Sequence, residues 1–341
     1  MRKAIATGLL AAVMGTGSAA AMLVRQADVP AMVKASDLIV VGRAADVQID
    51  AKSASETLVV WVDRVIAGSG PGRLSVRLSL PQPGSSLGTV APEQYGLFFL
   101  HATGENGVYT AADVSSPALP AAPGRARGAA PSDALGGVAH ELARVLTASA
   151  ADLVGLKDAA AAQHLYWEAA NALEAIPGTV TGPELRAVAS ADATPARLWA
   201  VAVLLNADEA ASSAADYLKS VEADLIKPPP GAGLAVARLA VSIQAKVNAP
   251  KAVPVLARLL QSSEMVVRRG AANALARIAT PDVIAPLAKI ALNDQERDIR
   301  YYAVRGLSQA TGAPIPTLPS FYEKEAEMLG RWRSWARINV R

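Results

Sequence analysis

Histidine is the side chain best suited to acid–base or metal chemistry near neutral pH, and this sequence contains three histidines and no cysteine. His101, His140 and His164 are far apart in the chain, and none belongs to an HExxH or comparable metal-ligand spacing. A metal site needs ligands that converge on one point, and without cysteine there is no thiolate nucleophile, thiolate ligand or disulfide. We therefore expect neither a metal ion nor a cofactor.

Other sequence patterns that carry chemistry are also missing. The glycine-bearing segments GSGPG and PPPGAG lack the GxxxxGK(S/T) and GxGxxG spacings that hold phosphate, and no GxSxG nucleophile elbow occurs. Glu323 and Glu325 lie in a charged helical segment with no evident partner for acid–base work. The sequence therefore favours a binding protein over an enzyme.

Arginine recurs at a regular position in two similar segments. VVRRGAANALARIA and DIRYYAVRGLSQAT both read apolar–Arg–x–x–Ala–x–x–x–Leu, and each follows a proline-containing amphipathic segment. Pro250 and Pro281 are 31 residues apart, and Ala271 and Ala303 are 32 residues apart. A repeat of this length made of two helices predicts an α-solenoid, because a single helical pair cannot bury its apolar face alone.

This pattern resembles HEAT repeats. The second-helix motif of that family is matched by two sets of residues: Glu264, Val267, Arg268, Ala271 and Leu275, and then Asp298, Ile299, Arg300, Ala303 and Leu307. The resemblance implies four to six helical hairpins within residues 134–312. It also implies that Arg268 and Arg300 form ion pairs with acidic residues of adjacent turns rather than bind anions. The available acids are Glu264, Asp294 and Asp298.

The resemblance further implies a binding surface, because the second helices of such solenoids line the concave face. Six side chains lie on a side of these helices that the buried contacts do not need: Arg269, Asn273, Arg277, Tyr301, Arg305 and Gln309. We predict that they bind a protein or peptide partner. The alternative interpretation is an ordinary solvated helix face.

Residues 36–113 show the two-residue period of β-strands instead. DLIVVGRAADVQI, TLVVWVDRVI, RLSVRLSL, YGLFFLHA and GVYTAADV give about five strands, so an antiparallel barrel or sandwich is expected. The succession ASDLIVVGRAADV, VDRVIAGSG and EQYGLFFLHATGENGVY resembles the small OB-like domains, netrin- or TIMP-like in outline, of exported bacterial proteins. The TIMP-like inhibitors act through an N-terminal cysteine, so their activity is not implied here.

The beginning of the chain predicts export. Arg2 and Lys3 precede a short apolar run and the small residues SAAAM, which is the pattern of a signal peptide cleaved after about Ala21. The alternative is an uncleaved anchor from Ala4 to Val24, for which the glycines and hydroxyl residues are poorly suited. We expect a periplasmic or secreted protein with no integral membrane segment after cleavage.

The end of the chain predicts a helix that closes the solenoid. Phe321, Met328, Trp332, Trp335 and Ile338 can share one apolar side and cap the last hairpin. Because arginines follow on the same segment, the alternative is binding to anionic lipid or to a partner.

These observations predict an α+β multidomain chain: a small antiparallel OB-like β-barrel or sandwich followed by an α-solenoid of HEAT-like hairpins. The expected segments are a signal peptide (1–21), the β domain (22–113), a Pro/Ala/Gly-rich linker (114–133), the solenoid (134–312) and a C-terminal capping helix (313–341). At 52% hydrophobic residues the 341-residue chain can bury a core. The net charge of +3, from 33 basic and 30 acidic residues, gives no dense basic stripe, so no nucleic-acid partner is expected.

The expected function is a non-enzymatic, exported protein–protein interaction scaffold that binds its partner on the concave face of the solenoid. The alternative is a cell-envelope module whose β domain recognises a glycan or another polymer. That alternative needs exposed aromatic side chains on the strands, and Trp61, Tyr95, Phe98, Phe99 and Tyr109 are the ones available.

Overall fold

The computed structural model describes the backbone of residues 27–50, 55–79, 90, 93–124, 131–153, 159–191, 194–207 and 213–340. The expected signal peptide, residues 1–21, lies outside the described residues. No helix within those ranges is both long and apolar enough to cross a bilayer.

The N-terminal domain is a five-stranded β-barrel, as the sequence predicts. Its strands are β1 (Leu38–Asp50), β2 (Ser55–Ala67), β3 (Arg73–Ser79), β4 (Tyr95–Ala102) and β5 (Val108–Ala111). The strand order is β1-β2-β3-β5-β4, and pairing between β1 and β4 closes the barrel. All of these pairs are antiparallel except β3 with β5, which is parallel. This closed five-stranded arrangement is OB-like.

Both faces of the barrel wall are buried at β1 and β4. Leu38, Val40, Phe98 and Leu100 point into the barrel, together with residues of β2 and β3. The alternate residues Ile39, Val41, Leu97 and Phe99 point outward and pack against helices of the second domain. Burial on both faces explains why these two strands contain the continuous apolar sequences LIVV and LFFL.

The segment expected to be a linker differs from that prediction in its first part. Residues Ala118–Pro120 form a sixth strand, β6, which pairs with β4 beside the barrel. Leu119, Ala121 and Ala122 are buried in the core that the two domains share. Alanine and proline are common both in linkers and in packed segments, so the sequence pattern did not show that these residues are buried.

A buried charge cluster joins the barrel to the helical domain. Glu141 of the helix α2 (Ala134–Thr147) is 3% exposed at its side chain and accepts hydrogen bonds from Arg64 of β2 and Arg144. The same two guanidinium groups donate to the backbone carbonyls of residues 122–124. Because each guanidinium group binds both the Glu141 carboxylate and backbone carbonyls, the cluster holds the barrel against the helices.

The remaining described helices are one helix before the barrel and the helices of the HEAT-like solenoid and its end. They are α1 (Val29–Ala35), which lies before the barrel, and then α3 (Ala159–Glu174), α4 (Gly178–Ala189), α5 (Thr194–Asn206), α6 (Ala214–Ser220), α7 (Glu222–Ile226), α8 (Gly233–Lys246), α9 (Val253–Leu259), α10 (Met265–Ile278), α11 (Ile284–Lys289), α12 (Arg297–Thr311), α13 (Leu318–Glu323) and α14 (Glu325–Asn339). Short 3₁₀ turns that begin at Pro250 and Pro281 lead into α9 and α11.

The second helices α5, α8, α10 and α12 stack on one another in chain order, while α9 and α11 pack on α10 and α12. Helix α5 is apolar all round and buried from Leu198 to Leu205, because α3 and α4 also pack against it. Helices α8 and α12 each keep exposed residues on one side, whereas residues 270–276 of α10 are all buried.

Glycine sets the spacing of the stacked helices. A Cβ atom on Gly270 of α10 would lie 2.7 Å from the carbonyl oxygen of Ala240 in α8. A Cβ atom on Gly306 of α12 would lie 2.8 Å from the Cα atom of Ala276 in α10. Both contacts join residues 30 positions apart (270 − 240 and 306 − 276), so the two interfaces share one packing register.

The C-terminal helices cover the free end of the stack. Phe321 of α13 is fully buried, and Leu329 and Trp332 of α14 are each 6% exposed. Ile338, which was expected on the same apolar side, is 83% exposed because it lies on the side of α14 opposite Leu329.

Candidate functional site

The six side chains predicted to bind a partner lie on α10 and α12. Val267, Ala271 and Leu275 form the buried side of α10, and residues two positions further on point the other way. Extending the 32-residue interval back by one helix places Val241 of α8 level with Asn273 and Arg305. We define the second-helix face by these residues: Leu234 and Val241 of α8, Arg269, Asn273 and Arg277 of α10, and Tyr301, Arg305 and Gln309 of α12.

On α10, the three predicted residues have different environments. Arg269 is half-buried and lies 3.5 Å from Asp298 of α12. Asn273 is 8% exposed, so little of it can contact a partner. Arg277 donates hydrogen bonds to the carbonyl oxygens of residues 243, 245 and 247 at the C-terminal end of α8, with N···O distances of 3.4, 2.9 and 2.9 Å. Arg277 therefore caps a neighbouring helix.

On α12, the predicted residues are more available. Tyr301 packs against Tyr302 and Phe321 with ring centroids 5.5 Å apart in each pair, which ties it to the C-terminal helices. Arg305 is partly exposed, and Gln309 is exposed. The structure thus leaves Arg269, Arg305 and Gln309 as the polar side chains of the face that solvent reaches most directly.

Two exposed apolar side chains on α8 complete this face, and sequence reasoning missed them. Leu234 is 43% exposed and Val241 is 65% exposed. They are seven residues apart and lie on the same side of the helix. The sequence signal for both is an apolar residue that lies outside the helical spacing of the buried residues Leu239 and Ile243.

Arg268 and Arg300 have structural roles, as the HEAT-like pattern predicts. Arg268 lies 2.8 Å from Asp294, and Arg300 lies 2.5 Å from Glu325. Each arginine also donates to the carbonyl groups six and five residues before it. Asp298, one of the acids expected to be available, instead accepts a hydrogen bond from the hydroxyl of Tyr322.

A third copy of this contact lies in α5. Arg197 begins the same Arg–x–x–Ala–x–x–x–Leu pattern, with Ala200 and Leu204, and lies 2.6 Å from Asp224. The three acids follow their arginines by 27, 26 and 25 residues, so one ion pair recurs along the solenoid. The motif in α5 was the sequence signal for it.

The histidines do not converge. His101 lies 3.3 Å from Asp37, His140 lies 3.0 Å from Glu184, and His164 lies 3.1 Å from Glu168. Glu168 raises the pKa of His164 through a hydrogen bond. Among the residues with described positions, no three His, Asp or Glu side chains are grouped so that they could hold a metal ion.

Two surface clefts beside the C-terminal helices offer no catalytic set. One, of about 370 Å³, lies between the end of α12 and α14 and includes Ile315, Met328 and Trp332 but no His, Asp or Glu. The other, of about 560 Å³, is lined by Asp294, Arg300 and Glu325, whose charges are already used in the ion pairs described above.

The barrel carries one exposed aromatic side chain among its five candidates. Trp61 is 49% exposed, whereas Phe98 and Phe99 are fully buried and Tyr95 and Tyr109 are partly buried. Cross-strand pairing places Arg43 on one side of Trp61 and Arg73 on the other. The guanidinium carbon of Arg73 lies 5.5 Å from the centroid of the indole ring, within the range of a cation–π contact.

Comparison with known proteins identifies the repeat. Residues 234–308 match the family model of HEAT repeats. The match runs from α8 into α12. It includes seven of the eight residues of the second-helix face, and Gln309 lies directly after it. No curated protein matches the chain.

Solved structures of engineered proteins from the Northeast Structural Genomics Consortium are similar to part of this chain. One is 19% identical, with a TM-score of 0.33, covering 54% of this chain and 95% of that one. A second is 19% identical, with a TM-score of 0.32, covering 58% of this chain and 56% of that one. A third is 22% identical, with a TM-score of 0.30, covering 55% of this chain and 95% of that one.

Proposed function

We propose that this protein is a non-enzymatic, exported scaffold that binds a protein or peptide on the second-helix face of its HEAT-like solenoid. HEAT repeats generally mediate protein–protein interaction, and residues 234–308 match them. The observation that carries the proposal is the exposure of Leu234 and Val241 beside the cations of α10 and α12. An apolar patch rimmed by polar side chains is typical of an interaction surface.

Export is the part of this proposal that rests on the first residues alone. The positive start, the short apolar run and the small residues before position 22 support a cleaved signal peptide. The N-terminal mass of protein recovered from outside the cytoplasm tests it. A mature chain that begins near residue 22 supports export, and an intact first methionine contradicts cleavage.

Site-specific photo-crosslinking tests the binding surface. A photo-reactive amino acid at position 241 is expected to give a discrete adduct in cells of the source organism. The same amino acid at position 251, an exposed site before the first helix α9, is the matched control. An adduct at 241 that excess unlabelled protein suppresses, with none at 251, supports the proposal. Equal labelling at both positions, or none at either, contradicts it.

A second candidate function concerns the barrel, and the exposed Trp61 between Arg43 and Arg73 favours it. Aromatic rings stack on sugars and bases, and OB-like barrels use a sheet face for such polymers. Tryptophan fluorescence of the wild type, corrected by that of Trp61→Phe, should change on titration with oligosaccharides or single-stranded nucleic acid. No difference between the two proteins would remove this candidate.

A further inference from the structure

The outer face of the barrel around Trp61 is assembled from three strands. Cross-strand pairing sets Arg73 of β3, Trp61 of β2 and Arg43 of β1 in one row. Paired residues of neighbouring strands point to the same side of a sheet. Their neighbours Val60 and Leu74 are buried inside the barrel, so this row of three side chains points outward.

The two arginines beside Trp61 have different contacts. The guanidinium carbon of Arg73 lies 5.5 Å from the centroid of the indole ring, and Arg73 has no ion pair with any residue whose position is described. Arg43 instead pairs with Glu93 at 2.7 Å, with side-chain exposures of 44% and 54%. Because Trp61 itself is 49% exposed, part of its ring is available for a ligand to stack on.

Carboxylates lie on the same outer face as these arginines. Side chains alternate along a strand, so the exposed Asp63, two residues after Trp61, points to the same side. Asp63 has no ion pair or hydrogen bond with a residue in the described part of the chain. Asp46 of β1 is paired with Val59, two residues before Trp61, and therefore lies on this side as well. The described charged side chains around Trp61 are the cations Arg43, Arg73 and Arg77 and the carboxylates Asp46, Asp63, Glu93 and Glu105.

This balance of charge decides which class of polymer fits the face. Nucleic acids and other polyanions bind mainly through clustered cations that replace their counterions, and here the cations are matched by carboxylates. A sugar hydroxyl both donates and accepts hydrogen bonds, whereas a guanidinium group only donates and an ionised carboxylate only accepts. Arginines and carboxylates around an exposed aromatic ring therefore match a neutral ligand that is rich in hydroxyl groups.

We propose that the barrel face around Trp61 binds a neutral glycan. One sugar ring stacks on the exposed part of the indole, Arg73 donates hydrogen bonds to its hydroxyl groups, and Asp63 accepts from them. The inference rests on the second candidate function and commits it to one class of polymer. Residues 68–72, which follow β2, are all exposed, and the carbonyl oxygen of Gly72 accepts from the amide of Val62. This turn beside Asp63 leaves room for further sugars of the chain.

Isothermal titration calorimetry of the full mature chain with cellohexaose, maltohexaose and chitohexaose tests this. At least one of these neutral oligosaccharides should bind, and Trp61→Ala should weaken its binding about tenfold or more, because an aromatic stacking contact is lost. Asp63→Ala should also weaken binding, because an acceptor for hydroxyl groups is removed. The melting temperature of Asp63→Ala should not fall, since Asp63 has no described partner to lose. Glu327→Ala, which removes an exposed carboxylate from α14, is the control and should bind as the wild type does.

Heparin and oligothymidylate distinguish a polyanion site from a neutral one. Asp63→Ala removes a repelling negative charge and would strengthen the binding of a polyanion, which is the opposite of its expected effect on a neutral glycan. Failure of all three oligosaccharides to bind overturns the inference, and so does wild-type affinity in Trp61→Ala or Asp63→Ala. Tighter binding of either polyanion than of any neutral oligosaccharide also overturns it. If oligothymidylate then changes the fluorescence of Trp61, the second candidate function stands and only the neutral glycan is wrong.

Discussion

Arginine has different surroundings in two regions of the molecule, the junction between the domains and the second-helix face. At the junction, Arg64 and Arg144 share the buried carboxylate of Glu141 and donate to nearby carbonyl groups. On the face, the charges of Arg277 and Arg305 repel each other, and neither arginine has a carboxylate partner among the described residues. Arginine alone therefore does not indicate a role. At the junction the arginines are held by a carboxylate, whereas Arg277 is held by the backbone carbonyls at the end of α8.

The largest effect is expected from removing the counter-charge at the junction. Glu141→Gln leaves two largely buried guanidinium groups without a carboxylate and should lower the free energy of unfolding by about 3 kcal/mol. Urea denaturation followed by circular dichroism measures this. Glu105→Gln, which breaks the exposed pair with Arg77, is the control and should have little effect. Equal effects of the two substitutions would contradict the structural role of the junction.

The stacked helices beneath the face depend on close packing instead of charge. Gly270→Ala forces a Cβ atom against the carbonyl of Ala240, so the free energy of unfolding should fall by about 2–3 kcal/mol. Gly330→Ala on α14 is the matched control, since its Cβ atom meets nothing within 4 Å. It should be neutral or stabilise the helix by up to about 1 kcal/mol. If both substitutions shift the melting temperature in the same direction, this account is wrong.

Breaking the contact between α12 and the C-terminal helices should have an intermediate effect on stability, because Glu325 is only partly exposed and pairs with Arg297 and Arg300. Glu325→Gln should lower the free energy of unfolding by about 1–2 kcal/mol at pH 7.

The pH dependence of that contact has a defined sign. Burial opposes ionisation of Glu325, but hydrogen bonds and charges from Arg300 and Arg297 prevail and lower its pKa from the ordinary 4.5. The stabilisation is therefore complete above pH 4.5 and is lost as the pH falls through the lowered pKa. Unfolding of wild type and variant between pH 7 and 3 should show the difference shrinking with acid. A gap that stays constant would exclude the ion pair as its source.

The smallest effect on stability is expected on the second-helix face itself. Arg305→Gln removes a cation that lies beside another cation and has no described partner, so the free energy of unfolding should change by less than about 0.5 kcal/mol. Any change should be towards greater stability, because repulsion of Arg277 is relieved. A loss as large as that of Glu325→Gln would show that Arg305 has an internal role and would end the contrast with the junction.

The elements could be predicted largely from local periodicity. Alternating residues identified the barrel strands, and the arginine–alanine–leucine spacing identified α10 and α12. The junction could not be predicted in the same way, since Arg64 and Glu141 are 77 residues apart and β6 consists of alanine, leucine and proline. The repeat motif singles out Ala271 and Ala303, whereas the closest approaches between the stacked helices are made by Gly270 and Gly306.

The face was predicted as a set of positions, without its chemistry. Helical spacing placed Arg269, Arg277 and Arg305 on the open side, but it could not show that Arg277 caps α8 from 30 or more residues away. That contact depends on how neighbouring hairpins are offset, which no single helix encodes.

The shared core at the junction has a consequence for any ligand long enough to touch both Trp61 on the barrel and Val241 on the solenoid. The barrel and the solenoid share one buried core around Glu141, so both side chains belong to one packed body. Once one end of such a ligand is bound, the local concentration of the other end is set by the length and flexibility of the ligand relative to the separation of the two side chains.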